Sequence, residues 1–465
     1  MATSEVRPLA QSWSPPPSLQ DHLDEGRAAR EAVPREQLAI LPDGARDPMG
    51  ILDRQDSVRV PELVPIRTQR MAESAFAFYR GTAALMAADL SRSPSSGITV
   101  GSCGDAHVSN FGLFASPQRT LVFDLNDFDE SAWAPWEWDV KRLVTSIVIA
   151  GQSTGRDEGV VRDAALGAVR TYARALMNGS KRSPLKRYYD HFDADAASEA
   201  LDPESEEALH KAVKDAEKRT AARAVRKLTS VDDSGRLVFV EQPPTMTHVD
   251  PRIEQRIGEF VLEYQLSANV DIRVLLQKYH VTDIARRVVG VGSVGTRCYL
   301  ISLADGDHNA LILQAKEAGQ SVLIEYGGVE QPEAVARFIE REGDGGRVVA
   351  MQRILQAVSD PFLGHLTGPS VEGPERSFYV RQFHDKKGGF EVDTLEDAAF
   401  GWYASACATT LARAHGQSPT ASIVAGYVGG GRVAGEAILE WSYAYADLSR
   451  ADWQLFRQHR GVDAA

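Results

Sequence analysis

Three cysteines in 465 residues, Cys103, Cys298 and Cys407, are too few and too scattered for a disulfide framework. An odd number of that kind points to a reducing compartment. No Cys/His cluster has zinc-ligand spacing. Cys103 stands beside an acidic loop, which allows a nucleophile reading; a small buried thiol is the plainer one. Basic residues are in deficit, with 51 Lys and Arg against 64 Asp and Glu and a formal net charge of -13. That balance argues against a general binder of nucleic acid or of anionic membranes. Any phosphate must then be held by particular lysines, backbone amides or metal ions. Long apolar runs are missing as well. The most apolar stretch, Leu143 to Ala150, is far short of the about 20 residues that span a bilayer. The first residues carry no basic-then-apolar leader, so a cytoplasmic location is the expectation. No internal repeat is found.

What is present suits a soluble globular chain, with 43% hydrophobic and 25% charged residues. The length suggests two or three lobes of about 150 residues each. Residues 1 to about 25, with Pro15-Pro16-Pro17, read as a disordered tail. The apolar spacing of Phe76, Tyr79, Ala83 and Met86 predicts one helix over 67–90. Arg67, Arg70 and Arg80 flank its face, as a solvated rim or as an anion-binding set. Gly97 to Val100 and Leu121 to Phe123 read as strands, and Glu137 to Ala150 as a helix with Trp138, Val144, Ile147 and Val148 in the core. Asp202-Pro203 is an N-cap followed by a first-turn proline. Asp232-Asp233-Ser234-Gly235 joins two short β runs as a hairpin. Further on, 345–358, 396–415 and 434–457 read as helices and Ser377 to Phe383 as a buried strand.

Gly290-Val291-Gly292-Ser293-Val294-Gly295 has the G-x-G-x-x-G spacing. In a dinucleotide fold that spacing opens a helix; in kinases it bends between two strands. Here Thr296 to Leu303 follows, rich in β-branched and aromatic residues, then a turn at Asp305-Gly306-Asp307, then Leu311 to Lys316. The strand–turn–strand reading is preferred. Glycines at 290, 292 and 295, with Ser293 among them, let backbone N–H groups approach phosphates. Lys316 on a rigid strand then fixes those phosphates as a point charge. Its ammonium needs an acid, and Glu325, Glu333 and Glu340 are the candidates. Glu317 points to the opposite strand face.

Gly104-Asp105-Ala106-His107-Val108-Ser109-Asn110 holds an Asp five residues ahead of an Asn, the base-to-metal-ligand spacing of a kinase catalytic loop. Asp105 would accept the substrate hydroxyl proton and Asn110 would help hold Mg²⁺. An apolar strand then delivers more acid: Asp124 is the first choice for the metal, Asp127 the second and Asp129 the third. Taken alone, these acids with Glu130 also read as a Ca²⁺ site or a solvated turn. His107 is a loop-locking hydrogen-bonder or a proton carrier in catalysis.

These residues resemble the Gly-Asp-x-His-x-x-Asn and Ile-Asp signatures of aminoglycoside phosphotransferases and related small-molecule kinases. The resemblance implies a catalytic base at Asp105 and metal ligation by Asn110 and Asp124. Where those families place a His before Gly-Asp, Cys103 stands. Trp138 to Leu143 resembles their later helix, whose Asp, here Asp139, braces the catalytic loop. From about residue 27 to about 457 the chain resembles the bacterial domain of unknown function 2252 family. Val33-Pro34-Arg35, Leu63 to Arg67, Phe78 to Gly81, the Asp105 loop, Asn126 to Glu130, Gly290 to Thr296, Gln314 to Ala318 and Tyr379 to Gln382 carry that likeness. Leu411 to His415 resembles the Leu-Ala-x-Leu-His helix that leads into the catalytic loop of phosphotransferases. Joining the chain ends on paper restores the usual order, and folded domains tolerate such permutation. The expected fold is therefore α+β, a two-lobed protein-kinase-like fold with circularly permuted connectivity. Its catalytic lobe would comprise 26–180 and 386–465, its nucleotide lobe 281–385, with an insert over 181–280.

The expected function is ATP- and Mg²⁺-dependent transfer of a phosphoryl group to a hydroxyl of a small molecule or protein. A nucleotide-binding pseudokinase and a kinase-fold AMP transferase use the same parts. A metallophosphoesterase also uses Gly-Asp-x-His, but its other signatures are missing here. No motif reads out the acceptor.

Overall fold

The computed structural model describes residues 15–190, 201–288, 290–370, 373–383 and 386–462. Most of the expected tail, residues 1–14, lies outside them. Its later part is not irregular: a helix spans Leu19–Ala32, started by a capping box in which the Ser18 and Asp21 side chains satisfy each other's backbone N–H.

Among the described residues, twelve strands fall into one large sheet and three small pairs. Strand β1 (Thr99–Ser102) pairs with β4 (Ala132–Pro135), β2 (Phe111–Ala115) with β3 (Leu121–Leu125), and β5 (Thr229–Val231) with β6 (Leu237–Phe239). The hairpin expected at Asp232–Gly235 is this last pair. The large sheet takes β7 (Met246–His248), β8 (His280–Arg287), β9 (Cys298–Ala304), β10 (Ala310–Ala318), β11 (Gly364–Ser370) and β12 (Gly373–Gln382). Its spatial order is β11-β12-β10-β9-β8-β7, antiparallel throughout.

Strand alternation sends the two sides of β10 to different places. Leu311, Leu313 and Ala315 enter a core shared with Phe260 and Tyr264 of the helix Pro251–Ser267. Ile312 packs the other way, with Leu300, Met246 and Leu228. Gln314 and Lys316 lie on that second side and are buried. The later part of the stretch read as an insert is thus built into the sheet, through β7 and the helices Pro251–Ser267 and Val270–Leu276.

The other half is helical. The helix Trp136–Ser153 is buried from Trp136 through Gly151 and is packed by the helices Glu158–Ser180, Asp397–His415 and Arg432–His459. Trp138, Val144, Ile147 and Val148 are in its core as expected. The single helix expected over 67–90 is three: Val64–Ala72, Ala75–Arg80 and Ala83–Leu90. Ser74 restarts the chain by accepting from the Ala77 N–H, and the middle helix ends at Gly81. The apolar spacing ran on across both breaks and hid them.

The last quarter of the chain returns to the start of the acidic loop. Just past the end of Asp397–His415, Ser418 Oγ accepts from the Gly101 N–H at 2.9 Å and Thr420 donates to the Thr99 carbonyl at 2.5 Å. Among the described residues no helix is long and apolar enough to cross a membrane.

Candidate active site

Asp105 sits in a loop that the rest of the fold holds from behind. Asp139, buried on the helix Trp136–Ser153, accepts from the Cys103 N–H at 2.8 Å and the Gly104 N–H at 3.0 Å. Gly104 has φ 81° and backs directly onto Glu130, where a Cβ would lie 2.0 Å from the carbonyl oxygen. Only glycine fits that turn. His415 stands behind Asp139, and Tyr172 OH lies 2.8 Å from its Nδ1. Cys103 is buried, and burial, with the Asp139 charge, pushes its thiol well above the usual range. No thiolate is on offer there, so the nucleophile reading falls.

The Asp105 carboxylate is gripped through one oxygen. Arg142 reaches Oδ1 with Nε at 2.8 Å and Nη2 at 2.7 Å. Burial raises the Asp105 pKa while Arg142 opposes the rise. His107 Nε2 is 3.7 Å from the other oxygen, Oδ2. Burial, reinforced by Arg80 and Arg142, holds the His107 ring well below the usual imidazole range. The ring is therefore neutral, and its Nδ1 is buried without a hydrogen-bond partner. Asn110 donates Nδ2 to the Asp105 carbonyl at 2.7 Å, which leaves its Oδ1 as the acceptor for a ligand.

Lys316 reaches across to this loop from the sheet. Its ammonium pairs with Asp129 and lies 3.6 Å from Asp127. None of Glu325, Glu333 and Glu340 takes that place; Glu333 pairs with Arg337 instead. Against the effect of burial, Asp127 and Asp129 hold Lys316 well above its ordinary pKa. Against burial too, Lys316 holds Asp127 below the usual carboxylate range. Tyr379 OH donates to Asp129 Oδ1 at 2.8 Å. Arg347, on the kinked helix Glu333–Leu355, donates to the carbonyls of Asp129, Ser131 and Gly319. It thereby fastens the acidic turn to the end of β10.

Asp124 is not in this cluster. It lies on β3, where every residue is buried. Its Oδ1 accepts from the Leu125 N–H at 2.8 Å and its Oδ2 from the Ala357 N–H at 2.7 Å. It borders a separate cavity with Arg413 and Asp190. The first choice for the metal is thus a structural carboxylate, and Asp127 and Asp129 are the acids in the cleft.

The glycine-rich turn closes over the same place. Gly290 and Gly295 have φ of 69° and 91°, which glycine adopts without strain. Gly292 packs on the Arg80–Gly81 backbone, where a Cβ would lie 3.2 Å from the Arg80 oxygen. Arg70 donates to the Gly290 carbonyl at 2.5 Å, Arg59 to Val294 at 2.6 Å, and the Val60 N–H to Gly295 at 2.8 Å. Arg67, read as a possible rim residue, is buried and paired with Asp56 at 2.8 Å.

Two adjoining cavities result. The larger, roughly 520 Å³, runs from Lys316 and Gln314 past Arg381 and Lys387 toward Phe383. Burial and the neighbouring Arg381 push the Lys387 ammonium down to about 7. The smaller, roughly 120 Å³, holds Asp105, His107, Asn110, Arg59 and Arg80. Asp127, Gly290 and Ser293 line both. The expected site residues other than Asp124 meet around these two spaces, Gly292 on the smaller one and Gly295 as the anchor of the turn. Arg142, Arg347 and Arg59 were not singled out from sequence; Arg142 lies in the segment that includes Asp139, and the other two carry no motif.

The model of a family described as an uncharacterized protein conserved in bacteria, DUF2252, matches residues 59–459. The chain belongs to the DUF2252 family. No curated protein and no solved structure matches it. The DUF2252 match takes in the Asp105 loop, the glycine-rich turn and Lys316 together.

For a metal, the candidate donors are Asp127, which lines both spaces, and Asn110, which lines the smaller one. Among the described residues no three His, Cys, Asp or Glu side chains converge as a ready-made cage. Mg²⁺ commonly takes only one or two carboxylates and completes its shell with water and substrate phosphates. The donor set fits a metal that arrives with a nucleotide.

Proposed function

We propose that this DUF2252 protein is an ATP- and Mg²⁺-dependent phosphotransferase with a permuted, kinase-like two-lobed architecture. The observation that carries the reading is the junction of the two cavities at Asp127, Gly290 and Ser293, with Lys316 on one side and Asp105 on the other. A donor nucleotide in the larger space would place its terminal phosphate at that junction. An acceptor hydroxyl in the smaller space would lie beside Asp105.

The strand arrangement supports the same reading. A strand, a glycine-rich turn, a second strand and a lysine-bearing third strand are the kinase sequence of parts, met here as β8, β9 and β10. A one-turn helix at Val322–Glu325, the long helix Glu333–Leu355 and two more strands follow. The return of Ser418 and Thr420 to β1 supports the permutation. One part departs from the pattern. In kinases the lysine pairs with a Glu on the helix, whereas Lys316 pairs with the acidic turn and the helix offers Arg347.

Bound Mg²⁺ and ATP would supply a charge-neutralised γ-phosphoryl group. Asp105 orients the acceptor hydroxyl through Oδ2 and takes its proton as the acceptor oxygen bonds to phosphorus. The bond from phosphorus to the β–γ bridging oxygen breaks, and ADP leaves with the electron pair. Lys316 and the turn amides would hold the nucleotide phosphates, and Asn110 and Asp127 would hold the metal. General-base help contributes about 10²–10⁴-fold, so Asp105→Asn should lower turnover by about that factor while calorimetric ATP affinity stays nearly intact. Undiminished turnover in that variant would sink the assignment. Release of pyrophosphate instead of ADP would move the reading to AMP transfer, and Mg-ATP binding without turnover on any acceptor to a pseudokinase.

A further inference from the structure

We infer that the cavity beside Asp105 takes an acceptor carrying an anionic group, phosphate or carboxylate, next to its reactive hydroxyl, with Arg59 and Arg80 as the residues that bind that anion. The inference rests on the phosphotransfer reading and adds a substrate class to it.

The charges around the cavity lead there. Asp105 is matched by the two-pronged contact of Arg142. Asp127 and Asp129 share the single ammonium of Lys316, which leaves one carboxylate charge over for the metal. Glu130, whose Oε2 accepts from the Val322 N–H, is pushed up to about 7 by burial. Two guanidinium groups remain without a close anion, Asp105 and Asp393 acting on Arg80 only from further off. Arg80 makes no ion pair among the described residues, and its Nε is buried without a hydrogen-bond partner. Arg59 spends one nitrogen on the Val294 carbonyl, and its Nε is likewise buried and without a hydrogen bond. Its nearest carboxylate, Asp56, is 3.9 Å away. That carboxylate is already bonded to Arg67 at 2.8 Å and to Arg460 at 2.8 Å. Arg460 has Asp53 as a second partner at 2.7 Å, but Arg59 has no carboxylate within hydrogen-bond distance among the described residues, so its guanidinium group lies against the cavity without a close anion.

A buried charge without a partner is costly, and an anion that fills the space removes the cost. Guanidinium groups match the geometry of phosphate and carboxylate oxygens. The roughly 120 Å³ of the cavity suits a small group. A cationic acceptor would meet Arg59 and Arg80 directly and be repelled.

The test uses the full-length protein loaded with Mg²⁺ and a non-hydrolysable ATP analogue. Glycerol 3-phosphate, glycerate, glycerol and ethanolamine are titrated by calorimetry. All four carry a hydroxyl, and they differ in charge. The two anions should bind, with glycerol and ethanolamine much weaker; the phosphate and the carboxylate arms show which anion is preferred. Arg80→Gln should weaken anion binding about tenfold or more, with the analogue's affinity unchanged. Arg59→Gln should weaken anion binding by a similar factor; because Arg59 also tethers the glycine-rich turn, the analogue's affinity is compared in Arg80→Gln alone. Glycerol or ethanolamine binding as well as the anions would overturn the inference. So would anion binding indifferent to both substitutions, or an equal loss of analogue affinity in Arg80→Gln, which would assign Arg80 to the nucleotide. An analogue that does not bind at all counts against phosphotransfer. In that case inorganic phosphate titrated into the unloaded protein and its two variants decides whether the anion site stands.

Discussion

The Nε2 atom of His415 lies 3.2 Å from the Asp139 carboxylate, although 276 residues separate the two in the chain. Both side chains are buried. Through this contact a helix near the end of the sequence supports the loop that holds Asp105 near its beginning.

Asp139→Ala would leave the buried N–H groups of Cys103 and Gly104 without their acceptor. A buried donor left unsatisfied costs about 1–3 kcal/mol, so urea unfolding should report a loss of about 2–6 kcal/mol from the two. His415→Ala keeps both loop hydrogen bonds and should cost less. Equal losses in the two variants would mean that packing around His415, and not the loop bonds, supplies the stability.

Lys316 is the counter-charge for two acids, and removing it strands both. Breaking a buried pair from one side costs about 3–5 kcal/mol, and the partial exposure of Asp127 and Asp129 places Lys316→Met near the lower end. Adding Asp129→Asn should recover part of the loss, because the stranded charge goes with it. A double-mutant cycle in urea checks the coupling. Nucleotide affinity, read by calorimetry, should stay weak in both variants, since neither restores the ammonium.

Glu130 gives the fold a pH dependence. Burial raises its pKa from 4.5 to about 7. The folded protein then binds this proton more tightly than the unfolded chain does. By linkage the contribution to stability is fully present below about 4.5 and is lost as the pH rises toward 7. Glu130→Gln removes the titration and retains an acceptor for the Val322 N–H. Its melting temperature should exceed that of the unsubstituted protein at pH 8 and converge with it near pH 4.5. A constant offset across that range would exclude Glu130 as the source.

Local order was legible in the sequence where one element decided it. The Asp202 cap, the Asp232–Gly235 hairpin and the all-apolar flank of Trp136–Ser153 follow from nearest neighbours in the chain. The Asp105 loop was legible because its spacing is short. The choice between Asp124 and Asp127 was not. A strand buried on both sides offers no polar face to betray direction, and the backbone donor from Ala357 that occupies Asp124 is supplied by a distant loop. The same holds for Lys316, whose partners come from the other half of the molecule, 187 and 189 positions back in the chain. Arg59 gave no signal at all. Its role rests on what Asp56 fails to neutralise, and only the folded arrangement counts those charges.

The glycine-rich turn is tethered at Gly290, Val294 and Gly295 to residues before position 71, which belong to the opposite half of the molecule. Any parting of the two halves at this turn must therefore break the contacts to Arg70, Arg59 and Val60. On the proposed phosphotransfer reading, the arginines that hold the turn would also set how fast it opens to release a spent nucleotide.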